Sequence, residues 1–259
     1  ATAHLEAGGA LADIDGDGRL DIVAGNPMDT LGGYKNTDLF WFANPPDPAK
    51  PWKTYLICNR FRKYHDQAVA DIDGDGQPEI VFASQGAKVL AYFDIPADPT
   101  VQPWPDSCLH IIAEDLLVEG VKTSDIDGDG QLEIVSGHFI FKRLPGGAWR
   151  RTSFIDGLDD RACLAVGDLD GDGRPDIVIS EGELDRAKLF WLKGPDWKPA
   201  LLADDLYHPH SLELADFNGD GRIDIYVGEM GLKGWPTPRQ IVYRNLGGGE
   251  FAPQVVGHF

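Results

Sequence analysis

The chain has 259 residues, a formal net charge of −19 and 42% hydrophobic residues. That length can bury a sizeable core as one repeat domain. Phosphate contact needs a basic face, so the acidity disfavours nucleic acid as a partner, and no apolar run approaches a membrane span.

A nine-residue phrase recurs five times along the chain. Its first copy reads Asp13-Ile14-Asp15-Gly16-Asp17-Gly18-Arg19-Leu20-Asp21. The second places Asp71, Asp73, Asp75, Gln77 and Glu79 at positions one, three, five, seven and nine. The third places Asp125, Asp127, Asp129, Gln131 and Glu133 there, and the fourth Asp168, Asp170, Asp172, Arg174 and Asp176. The fifth carries Asp216, Asn218, Asp220, Arg222 and Asp224. Glycines fill positions four and six of every copy. They can take positive φ, so the backbone can coil until the oxygens of positions one, three, five and nine converge. The carbonyl of position seven can add another. Hard oxygen donors in a flexible loop suit Ca²⁺, so the sequence predicts up to five structural calcium ions. Nineteen acidic side chains sit in these loops. Five bound ions would leave about −9, so the acidity is largely metal chemistry. Asn218 makes the fifth loop the expected weak site.

An EF-hand requires a bidentate acid at loop position 12. Here that position holds Ala24, Phe82, Ser136, Ile179 and Val227. Each loop leads into a short β-branched strand, such as Ile22-Val23 or Ile177-Val178, and not into a helix. The EF-hand is thereby disfavoured.

The first aspartates stand at 13, 71, 125, 168 and 216, 43 to 58 residues apart. Repeats of that size with several strands each predict propeller blades. A strand enters each loop, as at 67–70 and 211–215, and the Ile-Val strand leaves it. Third strands lie at 39–42, 89–93, 139–141, 189–192 and 241–243. Fourth strands lie at 54–57, 109–112, 152–155, 200–202 and 254–256. The fold class is all-β: a five-bladed β-propeller, four antiparallel strands per blade. The alternative is part of a seven-bladed ring. A single domain over 1–259 would divide into blades at about 1–60, 61–115, 116–158, 159–205 and 206–259. Trp41 and Trp191 fall mid-strand and read as blade core. Segments 31–36 and 231–238 read as candidate lids. The three cysteines are no disulfide framework, with Cys58–Cys108 the one pair that neighbouring outer strands allow.

The repeated Asp-x-Asp-Gly-Asp-Gly phrase with its Ile-Val tail resembles the FG-GAP/VCBS-repeat family. The resemblance implies propeller blades with Ca²⁺ in the loop between the first two strands of each. The integrin version's Phe-Gly and Gly-Ala-Pro segments are absent, which counts against integrin-like adhesion. The stretch from Tyr64 to Asp71 is similar in style to the propeller of aldos-2-ulose dehydratases, whose wider group includes lectin-like modules and polysaccharide lyases.

Propeller topology sends the calcium loops to one face, so a central funnel would be lined from the other. Segments entering each first strand offer His4, Glu6, Arg62, Tyr64, His65, Glu119, Arg161, Tyr207, His208 and His210. Segments leaving each second strand offer Asn26, Gln85, His138, Glu181 and Glu229. The leading reading is an enzyme acting on carbohydrate by lyase or dehydratase chemistry. That chemistry needs a base and a cation to hold the enolate. His65, His208 and His210 are the candidate bases or ligands of an additional divalent metal. Tyr64, Arg62 and Arg161 are candidates for an anionic or carbonyl group. The alternatives are a lectin-like pocket, with Tyr34, Tyr207 and Trp235 for stacking, and a non-catalytic scaffold. A carboxylate pair for glycoside hydrolysis could come from Glu119, Glu181 and Glu229. No leader is visible at 1–3, but loops of this kind work where calcium is millimolar. An exported protein, extracellular or periplasmic, is therefore expected. Oligomeric state is not readable.

Overall fold

The computed structural model describes residues 8–25, 37–158, 161–231 and 236–258. His4, Glu6, Asn26, Tyr34, Trp235 and the candidate lid at 31–36 lie outside them, as do residues 232–235 of the segment at 231–238. Five four-stranded sheets account for the described chain. The first contains β1 (Ala10–Ala12), β2 (Asp21–Gly25), β3 (Leu39–Ala43) and β4 (Lys53–Cys58). The second contains β5 (Tyr64–Ala70), β6 (Glu79–Ser84), β7 (Val89–Asp94) and β8 (Leu109–Glu114). The third contains β9 (Val121–Ser124), β10 (Glu133–Ser136), β11 (Phe139–Arg143) and β12 (Trp149–Ser153). The fourth contains β13 (Leu164–Gly167), β14 (Asp176–Ser180), β15 (Ala187–Lys193) and β16 (Lys198–Leu206). The fifth contains β17 (Pro209–Ala215), β18 (Asp224–Glu229), β19 (Arg239–Gly247) and β20 (Glu250–His258). In every sheet the strands neighbour one another in chain order. This is the strand plan of five propeller-type blades, as the repeats predict.

The chain divides into two compact units. One holds Ala1–Val121 with Arg143–Trp149, and the other Lys122–Lys142 with Arg150–Phe259. In the first unit Trp41, Ile57, Tyr64, Ile80, Phe82 and Phe93 form the core. In the second, Val178, Leu189, Trp191, Ile225, Val227 and Tyr243 form one cluster. Trp41 and Trp191 are core residues, as read from the sequence; Trp41 stacks on Tyr55 and donates to the Pro99 carbonyl at 3.0 Å.

Burial grades across a blade. Second strands such as β6 and β14 are buried at every residue, whereas β12 and β20 are largely exposed. A strand covered on both faces reads as a continuous apolar run, which is why the Ile-Val strands stand out. The fourth strands run longer than expected. β16 and β20 have nine residues each, because backbone pairing continues through polar positions that carry no apolar signal. The three cysteines are free thiols, and the Cys58–Cys108 bridge that the sequence allowed is not formed.

Register fixes two ends on each blade. Ala12 faces Asp21, Ala70 faces Glu79, Gly167 faces Asp176 and Ala215 faces Asp224, so the nine-residue phrase closes the hairpin between first and second strands. The opposite end of each sheet carries the first-strand entry and the turn after the second strand.

Candidate metal loops and the opposite end of the blades

Each loop is a chain of local turns. Glycines at positions four and six take φ between 74° and 89° in all five copies. Position one then accepts from the backbone with both oxygens: Gly74 and Gly76 donate to Asp71 at 2.7 and 3.0 Å, and Gly171 and Gly173 to Asp168 at 2.8 Å each. The N–H of position seven donates to the position-five side chain, as Gln77 does to Asp75 at 2.8 Å. A carboxylate has about four lone-pair sites, so these bonds leave capacity for a cation.

The ninth-position acid does something different. Asp21, Glu79, Glu133, Asp176 and Asp224 are at most 2% exposed. Each accepts the N–H of position two, at 2.9 Å from Ile14, Ile72 and Ile126, 3.1 Å from Leu169 and 3.2 Å from Phe217. In three blades its other oxygen accepts an N–H at or just beyond the end of the third strand. Asn44 reaches Asp21 at 2.8 Å, Gly194 reaches Asp176 at 3.0 Å and Asn245 reaches Asp224 at 2.8 Å. One buried carboxylate thus ties loop, second strand and third strand together.

The donor sets fit calcium. One oxygen each from Asp13, Asp15 and Asp17 lies within 4.8 Å of the others. The same holds for Asp71, Asp73 and Glu79, for Asp125, Asp127 and Glu133, and for Asp168, Asp170 and Asp176. Oxygens around one Ca²⁺ at 2.3–2.6 Å are at most about 5 Å apart. The electrostatics point the same way. Burial, reinforced by Asp73, Asp75 and Asp71, pushes the Glu79 carboxyl up to about 7 against the pull of the Ile72 N–H. Burial, then Asp17 and Asp21, raises Asp15. A bound Ca²⁺ would relieve that repulsion, held by side chains of positions one, three, five and nine. The carbonyls of Arg19, Gln77, Gln131, Arg174 and Arg222 stand at position seven.

The loops differ in their cationic neighbours, which sequence reasoning missed. Arg19 and Arg222 fold back onto the fifth-position acids Asp17 and Asp220, and their Nε atoms donate to the Asn44 and Asn245 carbonyls at 2.7 and 2.8 Å. Lys142 lies among Asp127, Asp129 and Glu133 at 2.5, 2.7 and 3.0 Å. Lys193 pairs with Asp170 and Asp172. A signal for the lysines was present. Phe139-Ile140-Phe141-Lys142 and Phe190-Trp191-Leu192-Lys193 both set a lysine after an apolar run near the loop end of a third strand.

Family models for the FG-GAP-like repeat match residues 13–82, 71–136 and 168–227. The chain belongs to the FG-GAP-like repeat family. No curated protein matches it. Among solved structures, the crystal structure of the V. cholerae biofilm matrix protein Bap1 is similar at 16% identity and a TM-score of 0.46. The similarity covers 97% of this chain and 53% of that one, so the FG-GAP-like chain spans about half the length of that neighbour.

At the other end of the blades, two histidines share one backbone device. The β5–β6 register shifts between Tyr64 and Asp66, and the β17–β18 register between Pro209 and Ser211. His65 and His210 are therefore the extra residues of β-bulges, which re-aim side chains and recur beside active sites. Two residues earlier, Lys63 and His208 both hold positive φ, at 56° and 41°. Tyr64, His65 and His210 thus belong to first strands that start earlier than expected.

In the first unit His65 Nε2 stands 3.9 Å from Glu119, which is 1% exposed and accepts from the Gln85 amide. Asp66 accepts the Val121 N–H at 2.9 Å. Gln67 is 3% exposed, and its amide has no hydrogen-bond partner among the described residues. Arg62 is exposed beside them. Tyr64 is wholly buried among Phe61 and Phe82, and burial pushes its hydroxyl far above the ordinary phenol range. Its place is in the core.

In the second unit His208 pairs with Asp185 at 2.9 Å and His210 faces Glu183 at 3.8 Å. The Cys163 thiol donates to the Pro209 and His210 carbonyls. Arg161 lies half-buried near Gly182. Tyr207 packs edge-on to the His208 ring at 4.4 Å. Glu229 accepts from Tyr207 N–H, Arg239 N–H and the Arg239 guanidinium. Burial opposes its ionisation, but Arg239 and those N–H groups outweigh it and hold the carboxyl below its usual range. Glu181 accepts the Lys188 N–H at 2.9 Å, and the His138 ring lies 4.0 Å from the Phe139 ring. Glu229 and Glu181 are thus engaged within their own blades.

Proposed function

We propose that this FG-GAP-like chain is a calcium-stabilised binding module of an exported protein. Its ligand is a carbohydrate held at the end of the blades away from the calcium loops. The observation that carries the ligand site is the buried group around Glu119. A carboxylate fixed by Gln85 faces the bulge-presented His65 at 3.9 Å, and two residues along the same strand the buried Gln67 amide has no partner among the described residues. Vicinal hydroxyls are recognised by such planar polar groups, and a buried amide without a partner favours a ligand that supplies one. Among the described residues no helix is long and apolar enough to cross a membrane. Calcium loops suit a calcium-rich compartment outside the cell.

A second reading rests on the same pair. A histidine beside a buried carboxylate is the arrangement of a general base with an orienting acid. It fits proton abstraction next to a carbonyl, as in a lyase or dehydratase, and the two side chains could also hold a further divalent cation. Calorimetry against neutral and acidic oligosaccharides, with parallel detection of unsaturated product, separates the readings. Saturable binding without product, lost in Glu119→Ala and His65→Ala, supports the module. Product formation lost in His65→Ala replaces it with the enzyme. Neither binding nor product leaves a scaffold.

A further inference from the structure

The five loops share one ligand pattern but differ in what stands beside it. The β10–β11 register pairs Ile134 with Phe141, which sets Lys142 opposite Glu133, the ninth-position acid. The β14–β15 register pairs Ile177 with Leu192 and sets Lys193 opposite Asp176 in the same way. The equivalent position holds Ala43, Asp94 and Arg244 in the first, second and fifth blades. From there the Lys142 ammonium contacts the acids of positions three, five and nine, and Lys193 those of positions three and five. These are the oxygens a calcium ion needs. In the first and fifth loops the guanidinium reaches, among the described loop acids, only that of position five. In the second, Arg143 reaches one loop acid among the described residues, Asp73, at 3.4 Å.

We infer that Lys142 and Lys193 are built-in competitors of calcium, dividing the five loops into a tight class (first, second and fifth) and a weak class (third and fourth). The inference rests on the calcium reading of the loops. A tethered ammonium is present at high effective concentration and carries one charge against two. It holds the acids together when calcium is absent and must swing out before calcium enters. The lysine side chains can do so, being 17% and 47% exposed. The third and fourth loops therefore stay folded at low calcium and fill last. This reverses the order suggested by Asn218, which marks the fifth loop by ligand chemistry alone.

The test is calcium titration of the metal-free full chain by calorimetry, paired with thermal melts in chelator and in saturating calcium. Wild type should show two classes of site. Lys142→Met and Lys193→Met should each tighten one weak site by at least tenfold, and the double variant both. In chelator each variant should melt below wild type; in saturating calcium the deficit should vanish or reverse. A lysine with a merely structural role would lower both melts alike. Calcium binding with unchanged affinities in both variants overturns the inference and leaves the calcium reading standing. No calcium bound by wild type overturns both. Lys193→Met, at the more exposed residue, keeps the test decisive if Lys142→Met fails to fold.

Discussion

The two ends of each blade are built on opposite plans. The loop end is repeated five times with the same turns, the same buried acid and the same glycine conformations. Among the described residues the other end varies from blade to blade, with a bulged histidine in the second and fifth, a Glu–Arg clasp also in the fifth and a half-buried arginine ahead of the fourth. Repetition marks what every blade needs in order to close its hairpin. The glycines show the contrast in miniature. A Cβ at Gly74 would meet nothing within 4 Å, whereas at Gly25, at the far end of β2, it would sit 2.4 Å from the Tyr64 Cβ. The first glycine answers to conformation, the second to space.

If the loop end carries stability and the other end carries ligand, the largest effect should come from removing calcium. A site filled at a hundred times its Kd contributes about 2.7 kcal/mol. Even three such sites predict a fall in Tm of more than about 10 °C on chelation, read by differential scanning fluorimetry. An unchanged transition would collapse the distinction between the ends. Next comes Asp224→Ala, which strips a buried acceptor from the Phe217 and Asn245 N–H groups. It should cost about 2–4 kcal/mol in chemical denaturation, and more once calcium is present. At the opposite end, Glu119→Gln should weaken carbohydrate binding by about tenfold. It should leave the drop in Tm on chelation as it is in wild type. A variant that moves both readouts would show that the ends are coupled.

Smaller effects refine the picture. Glu79 in the metal-free fold titrates near 7, above its ordinary 4.5. The folded state therefore holds the proton more tightly than the unfolded state between those values. Metal-free stability should fall as pH rises from about 4.5 to about 7. Urea melts at pH 5 and pH 7 in chelator should show that loss, and Glu79→Gln should shrink it. Calcium should cancel or reverse the trend, because it binds the deprotonated acid. Smallest is Gly74→Ala, expected to cost about 1 kcal/mol for its left-handed φ. A much larger loss would mean that space as well as conformation matters there.

The loop end was legible because its logic is local. Asp71 to Glu79 carry their own turn chemistry, and the Ile80-Val81 run declares the strand beyond it. The opposite end was legible only as a set of segments. His65 and His210 were picked out as polar residues at the right end, but their bulges depend on pairing with strands about 20 residues away. Gln85 and Glu119 are separated by 34 residues, and nothing short-range predicts their contact. Tyr64 reads in sequence as a candidate for holding an anionic or carbonyl group and packs as core. The outer strands were cut short because Lys198 to Leu206 pair through backbone and show little apolar alternation. Lys142 and Lys193 needed the repeats to be aligned by strand register, since each lies beyond its loop.

The ten loop glycines carry one more consequence. With open space around each and φ on the side that L-residues avoid, these positions specify handedness and leave size free. A D-alanine introduced at Gly74 by semisynthesis should therefore be accepted where L-alanine is not. The loops select for chirality, which the genetic code can satisfy only with the one residue that has none.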